Sequence, residues 1–391
     1  MTLASQPASH GAATVTDPVR VMVVDDSVVI RGLIGRWIDA DPALAVVATH
    51  RNGQLAVDDI ERSNPDVVVL DIEMPVMDGM TALPLMLAKR RDLVVVMAST
   101  LTRRNAEISL KALSLGAQEY VPKPESSANV TTSVDFRRDL IDKVKSLGMR
   151  KRDRAAGIRR PMRAETAAGA AAAPAAARAA TRPTGHTATF TLRPYASVKP
   201  RVLAIGSSTG GPQALQALFR DIGSSLREVP VLVTQHMPPT FTAILAEHIS
   251  KAAMCPAAEA TDGVLLKPGH IYVAPGGKHM VVEKTAAGVV ARLNEDPPVN
   301  FCRPAVDPLF DSVAKAYGSA TLAIVLTGMG SDGANGARAI AASGGSIIAQ
   351  DEKSSVVWGM PGAAAHTGQC SDVLALSEIG PKITRILGGR R

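Results

Sequence analysis

The segment Gly206-Ser207-Ser208-Thr209-Gly210-Gly211 sets the hydroxyl of Ser208 between two glycines, each two residues away. It follows an apolar run and precedes helical spacing that opens at Pro212, a favoured first-turn residue. This Gly-x-Ser-x-Gly arrangement is a nucleophile-elbow pattern. Small flanking residues let a sharp turn present the hydroxyl over a helix N-terminus, whose partial positive charge favours a developing oxyanion. The next apolar run, VPVLVTQH, ends at His236, and a later one, TLAIVLTG, runs into Met329-Gly330-Ser331-Asp332-Gly333. A hydroxyl, an imidazole and a carboxylate at the carboxyl ends of parallel strands can meet in one crevice as nucleophile, base and orienting group. Plainer roles stay open for each: Ser208 as a helix cap or part of a phosphate cradle, His236 as a core or loop histidine, Asp332 as a turn residue. The chain order Ser, His, Asp differs from the Ser, Asp, His order of α/β-hydrolases and points to a separate serine-hydrolase fold.

A second group lies upstream. Asp25 and Asp26 end one apolar run, Asp71 ends another, Ser99 and Thr100 a third, and Lys123 a fourth. Open α/β sheets bind ligands at the carboxyl ends of their strands, so these side chains converge on one edge. Three carboxylates suit a hard, hydrated cation such as Mg²⁺. A carboxylate beside such an ion can attack phosphorus, and a neighbouring hydroxyl and ammonium can hold the phosphoryl oxygens.

The elements that must position these groups are legible as alternating patterns. Strand runs at 19–26, 44–50, 66–71, 93–100 and 118–124 alternate with helical spacing, the last helix spanning 136–147. That rhythm predicts a doubly wound five-stranded parallel sheet over residues 18–147. A second alternation from Arg201 to about 388 predicts another doubly wound α/β domain. Its middle part, HIYVAP, HMVVEKT and GVVARLN, reads as an antiparallel hairpin excursion, and GSIIAQD as the final strand. Pro84 inside the third helix predicts a kink or a late start. Residues 1–17 read as a disordered leader. Residues 148–200, rich in Ala, Arg and Pro, read as a linker unable to bury enough apolar surface to order itself.

The 391 residues carry a net charge of +7, which invites a nucleic-acid reading. Residues 149–200 hold 11 of the 43 Lys/Arg but only 2 of the 36 Asp/Glu, so the rest of the chain is slightly acidic. With the excess charge off the folded parts and no helix-turn-helix pattern, nucleic acid is not an expected partner. The basic stretch is either a solvated, self-repelling tether or a segment that leans on acidic protein surfaces or anionic lipid through Arg150, Lys151, Arg152 and Arg154. The scattered Cys255, Cys302 and Cys370 match neither a disulfide framework nor a zinc site. No run approaches the ~20 apolar residues of a membrane span, and the N-terminus lacks a signal-peptide core. A cytoplasmic protein is expected.

The motifs VVDDS at 23–27, LDIEMPVMDGM at 70–80, MAST at 97–100 and VPKP at 121–124 resemble a response-regulator receiver domain of flavodoxin-like fold. The resemblance implies Asp71 as phospho-acceptor, and Asp25, Asp26 and Asp71 as Mg²⁺ ligands with the Glu73 backbone nearby. It further implies Ser99 as switch hydroxyl, Lys123 as phosphate partner and a cis peptide before Pro124. IGSSTGGPQAL at 205–215, TQHMPPTFT at 234–242, YVAPGGKHM at 272–280, NFCRPAVDPLF at 300–310, LTGMGSDGA at 326–334 and WGMPGAA at 358–364 resemble the CheB family of chemotaxis methylesterase/glutaminases. This implies Ser208 as nucleophile, His236 as base and acid, Asp332 as its orienter and the Met329 backbone in the oxyanion hole, with no cofactor in that domain. Ser207 is an inert neighbour on this reading. Arg303 either faces acidic receptor helices or pairs with Asp307 on the next turn. The implied partners are methyl-accepting chemoreceptors as substrate and a histidine kinase as phosphodonor. A monomer recruited to receptor arrays at the membrane is expected. A receptor-docking adaptor without catalysis is the competing class.

Overall fold

The computed structural model describes residues 17–124, 133–157 and 190–389. Apart from Asp17, the leader expected at 1–17 lies outside them, as do residues 158–189 of the linker.

In the first domain β1 (Val19–Val24), α1 (Val28–Asp39), β2 (Leu44–His50), α2 (Gly53–Ser63), β3 (Val67–Asp71), α3 (Gly79–Lys89), β4 (Val94–Thr100), α4 (Arg103–Ser114), β5 (Glu119–Lys123) and α5 (Val134–Ala155) follow in order. The strands form a five-stranded sheet of order β2-β1-β3-β4-β5, all pairs parallel. Each of these helices starts on a short polar side chain: Ser27, Asn52, Asp78, Thr102 and Ser133 accept a hydrogen bond from the backbone N–H three residues on. With its cap at Asp78, α3 does not start late despite Pro84, which lies inside the helix and leaves one backbone carbonyl without its usual donor.

The second domain continues with β6 (Val202–Ser207), α6 (Gly211–Ile222), β7 (Val231–Gln235), α7 (Phe241–Ala253), β8 (Ala257–Glu259), β9 (Ile271–Val273), β10 (His279–Thr285) and β11 (Gly288–Asn294). It closes with α8 (Val306–Tyr317), β12 (Thr321–Val325), α9 (Ala334–Ala342), β13 (Ser346–Gln350), α10 (Met360–His366), β14 (Asp372–Leu374) and α11 (Leu376–Leu387). Seven strands form a parallel sheet of order β14-β13-β12-β6-β7-β9-β8, and β10-β11 form a separate antiparallel hairpin. HIYVAP therefore belongs to the main sheet as β9 rather than to the hairpin, and β14 follows the expected last strand. β8 and β14 are three residues each, too short for a periodicity.

Strand order reverses between β1 and β3 in one sheet and between β6 and β12 in the other. At such points the crossover helices leave on opposite faces and open a crevice at the strand ends. Both groups of polar residues lie at these two places.

Helix α5 runs well past Leu147, and its last turns are pinned rather than tether-like. Lys151 pairs with Asp92 at 2.9 Å and Arg152 with Asp66 at 2.8 Å within the first domain. Arg150 and Arg154 donate to the carbonyls of Glu352 and Lys353 at 2.7 and 3.2 Å in the second. These four cations are thus each engaged within the chain. The far end of the expected linker is also packed: Phe190 lies on Trp358 with ring centroids 5.8 Å apart, and the Tyr195 hydroxyl donates to Asp372 at 2.7 Å. Buried side chains of the α2–α4 side of the first sheet and of α6 and α7 in the second domain form one continuous apolar cluster.

Candidate active site

The crevice of the second sheet is built on three adjacent strands. β6 leads into Ser208, its neighbour β7 into His236, and β12 on its other side into the loop that carries Asp332. The register pairs Gly206 with Thr234 and Ser207 with Gln235, so Ser208 and His236 leave the sheet at one level. The His236 N–H donates to the Ser207 carbonyl at 3.1 Å and fixes that level.

The loop after β6 is held by its backbone. Ser208 N–H donates to the Thr327 carbonyl at 3.0 Å, and the Ser208 carbonyl accepts from Gly211 N–H at 2.7 Å and Gln235 Nε2 at 2.9 Å. Gly210 turns the chain with φ of 73° and is itself the N-cap of α6, so the Ser208 side chain is not the cap. Gly211 has no room for a side chain: a Cβ would lie 2.0 Å from Gln235 Oε1. Ser207 is fully buried, and its hydroxyl donates to Gln235 Oε1 at 2.7 Å. Gln235 thus ties Ser207, Ser208 and the strand end together.

Asp332 is buried and hydrogen-bonded on both oxygens. Oδ2 meets His236 Nε2 at 2.8 Å and accepts from Val306 N–H at 2.6 Å. Oδ1 accepts from Asp307 N–H at 3.0 Å, Gly333 N–H at 3.0 Å and Asn300 Nδ2 at 3.3 Å. Val306 and Asp307 open α8, so the carboxylate occupies the positive end of that helix. Asp307 returns the arrangement by accepting from Gly333 and Gly336 at the start of α9, at 2.9 and 2.7 Å. Burial opposes the Asp332 charge, but His236 and these backbone N–H groups hold its pKa below the ordinary carboxylate value. Burial likewise opposes an imidazolium at His236. The Cys302 thiol and Asp332 outweigh it and push the pKa up to about 10.

The structure joins His236 to Asp332 but leaves Ser208 outside that hydrogen bond. The second ring nitrogen, Nδ1, lies 3.3 Å from Cys302 Sγ. Ser208 approaches the Met329 loop from below: a Cβ on Gly328 would be 2.8 Å from Ser208 Cβ. Met329 sits half-buried in that loop, where Gly328 N–H donates to Val357 and its carbonyl accepts from Met360.

In the first domain Lys123 Nζ bridges Asp71 Oδ1 at 2.7 Å and Asp25 Oδ2 at 3.1 Å. Asp25, Asp26 and Asp71 present carboxylate oxygens all within 4.8 Å of one another. A Cβ on Gly79 would lie 2.0 Å from the Asp71 carbonyl, so glycine alone lets α3 start against this strand end. The Ser99 hydroxyl shares a 2.9 Å hydrogen bond with Ser109 of α4.

Residues 203–383 match the family model described as CheB methylesterase, and residues 21–135 match the response regulator receiver domain. A protein-glutamate methylesterase/protein-glutamine glutaminase of Rhodopseudomonas palustris is 55% identical over 389 residues, covering 100% of this chain and 99% of its own. The chain belongs to the CheB family. A Bradyrhizobium diazoefficiens relative of the same description, from a group 2 operon, is 55% identical over 98% of each chain. The crystal structure of the Thermotoga maritima CheB methylesterase catalytic domain shares 38% identity, spans 48% of this chain and 100% of its own, and superposes with a TM-score of 0.47.

The acidic pocket fits the hard divalent cation that receiver domains generally use. Burial, with Asp25 adding to it, raises the Asp71 pKa to about 6 although Lys123 opposes the rise. One ammonium does not balance these carboxylates, and the all-oxygen donor set suits Mg²⁺. Because the folded pKa of Asp71 is raised, the bound proton stabilises the fold below about pH 4, and that contribution of about 3 kcal/mol is lost as pH rises through about 6. Mg²⁺ added to chelator-treated protein should therefore raise the thermal midpoint at pH 7.5 and have little effect near pH 4. Equal gains at both pH values would contradict this charge accounting.

Two expectations are corrected. The cis peptide expected before Pro124 is not found; among the described residues the cis bond is Arg303-Pro304. Arg303 does not pair with Asp307: its guanidinium donates to the carbonyls of Glu295 and Asp296 at 2.7 and 3.2 Å, while Asp307 faces the start of α9. Gln235, Asn300, Cys302 and Asp307 went unrecognised in the sequence. Gln235 adjoins His236, and Cys302 lies in a family-like segment, but nothing in their spacing predicts these contacts.

Proposed function

We propose that this chain is a receiver-controlled serine hydrolase that demethylates glutamate γ-methyl esters, releasing methanol, and deamidates glutamines on methyl-accepting chemoreceptors. The observation that carries the reading is the convergence of Ser208, His236 and Asp332 at one strand-order reversal, with His236 and Asp332 2.8 Å apart. Ser208 attacks the γ-carbonyl while His236 takes its proton. Asp332 holds the ring through Nε2, and its accepted N–H groups keep it ionised. The tetrahedral oxyanion is held by backbone donors, among them Met329 N–H, near the positive end of α6. His236 then gives its proton to the leaving methoxide or amide nitrogen, releasing methanol or ammonia, and water clears the acyl-enzyme. Methanol release from methylated receptor membranes is the direct test.

The first domain supplies the control. A histidine kinase phosphorylates Asp71; Asp25, Asp26 and Asp71 would hold Mg²⁺, which would supply positive charge for the transferred phosphoryl group. Lys123 and Ser99 take up its oxygens. The unphosphorylated receiver lies against the catalytic crevice: Glu119 Oε2 accepts from Gly210 N–H at 3.2 Å, beside the nucleophile loop. Tyr120 stacks on Phe241 with centroids 4.7 Å apart, and Ser146 donates to Met329 Sδ at 3.2 Å. Strand β5 carries Lys123 at the phosphoryl pocket and Glu119 and Tyr120 at the interface, so one short strand connects the two. No helix among the described residues is long and apolar enough to cross a membrane; recruitment of a cytoplasmic enzyme to receptor arrays is part of this proposal.

Tyr120→Ala removes a buried aromatic pair, which is worth about 2 kcal/mol or more with its burial. Basal methanol release without phosphodonor should then rise by about tenfold or more, and acetyl phosphate should add correspondingly less. Wild-type basal activity with full activation would show that this face does not restrain the enzyme.

A further inference from the structure

Both nitrogens of the His236 ring are engaged without Ser208. Nε2 meets Asp332 and Nδ1 meets Cys302 Sγ at 3.3 Å. With the Nε2 proton donated to Asp332, Nδ1 is the only nitrogen left to accept a proton from Ser208. When the ring is an imidazolium, Nδ1–H donates to Cys302 Sγ, a weak acceptor, and no lone pair is left for the Ser208 proton.

Cys302 closes a tight turn. Val299 and Cys302 exchange backbone hydrogen bonds of 3.1 and 2.9 Å, and Asn300 and Phe301 between them have φ of 51° and 62°. Two consecutive left-handed residues make a type I′ turn, whose second position favours glycine; Phe301 is held there against its preference. The turn touches the site twice, through Asn300 on Asp332 and Cys302 on His236. Its tip points the other way: Phe301 is 80% exposed, and its ring lies 4.6 Å below the Arg138 guanidinium of α5. The receiver therefore touches the exposed tip of this turn through one cation–ring contact.

We propose that Cys302 is a positioning residue whose thiol holds His236 in a form unable to take the Ser208 proton, and that Phe301 beneath Arg138 ties this hold to the docked receiver. The idea rests on His236 being the base of the proposed hydrolysis and extends it: the receiver governs the proton acceptor as well as access to it. Departure of α5 removes the cation over Phe301, lets the strained turn relax and frees Nδ1 for Ser208. The groups facing the ring are Asp332 and Cys302 in contact, Asp307 behind Asp332, and Lys143 of α5 on the Cys302 side. Of the two in contact, Asp332 is also bound by the starts of two helices, so the Cys302 contact is the separable one.

The test is an NMR titration of the His236 imidazole in the full, unphosphorylated chain, its signal assigned with His236→Gln, beside the pH profile of methanol release. Cys302→Ala should lower the imidazole pKa by about one pH unit or more, about tenfold in its protonation equilibrium, and move the acid limb of kcat/KM down with it. Cys302→Ser, which keeps a hydrogen-bonding group in a shorter side chain, should fall between the two. Arg138→Ala should move the pKa in the same direction by less. An unchanged titration and pH profile in Cys302→Ala, with His236→Gln inactive, would overturn the hold and leave the hydrolase reading standing. Loss of activity in a folded Cys302→Ala or Cys302→Ser protein would also overturn it, because the thiol would then be taking part in the chemistry. Activity retained in His236→Gln would remove the base assignment and the hold together.

Discussion

Ser208→Ala is expected to reduce methanol release from methylated receptors by roughly 10⁴- to 10⁶-fold, the loss typical of removing a serine nucleophile. The neighbouring hydroxyl cannot substitute, since Ser207 is fully buried and donates to Gln235. The loop should survive the change. Its backbone bonds to Thr327, Gly211 and Gln235 do not involve the Ser208 side chain, and α6 is capped by Gly210. The thermal midpoint should therefore stay close to wild type, with a stability change within about 0.5 kcal/mol. Ser207→Ala gives the opposite pattern, a folded-state cost from breaking the Gln235 network with only a modest loss of rate. An active Ser208→Ala protein of wild-type stability would exclude Ser208 as nucleophile and revive the docking-adaptor reading.

Asp332→Asn should combine a large catalytic loss with a large loss of stability. The substitution keeps the shape but turns one oxygen into a donor. Every partner of the present carboxylate is itself a donor: His236, Val306, Asp307, Gly333 and Asn300. Whichever way the amide turns, an NH₂ group faces N–H groups at the start of α8. Losing charge-assisted bonds in a buried site costs about 2–4 kcal/mol. Catalysis should fall by about 10⁴, because the imidazole loses the acceptor that sets its tautomer. The pH dependence should change as well. In the parent chain the raised His236 pKa contributes stability below its ordinary value near 6.5, and this is lost as pH rises through about 10. Denaturant melts across that window should show a shallower slope for Asp332→Asn. A variant as stable as the parent, with an unaltered slope, would mean that Asp332 is not what orients the ring.

Long apolar alternations made both sheets readable, and the strand ends named the groups that converge on each crevice. What stayed hidden has physical reasons. β8 and β14 are too short to carry a pattern. HIYVAP has the texture of its hairpin neighbours, yet backbone pairing with β7 puts it in the parallel sheet. The cations at 150–154 look like tether by composition, but Asp66, Asp92 and two carbonyls far along the chain fix them. Cys302, Asn300 and Glu119 act through contacts dozens of residues away, made only when loops or whole domains meet. Arg303 illustrates the reverse error: a partner one turn along the sequence is near in number, but Arg303 donates to Glu295 and Asp296 while Asp307 accepts from the start of α9.

Glu119 sets how firmly the two domains can hold each other. It is fully desolvated at the interface, and its pKa is raised by that burial even though Lys143 and the Gly210 N–H oppose the rise. An apolar residue there would seal the joint more tightly, since a buried charge recovers only part of its lost hydration. The buried carboxylate makes the closed arrangement weaker than an apolar contact would. On the proposed control, a modest signal at Asp71 then suffices to tip the balance, and its removal lets the domains re-engage. On that same proposal, reversibility thus depends on one buried carboxylate, four residues along β5 from the lysine that faces the phosphoryl pocket.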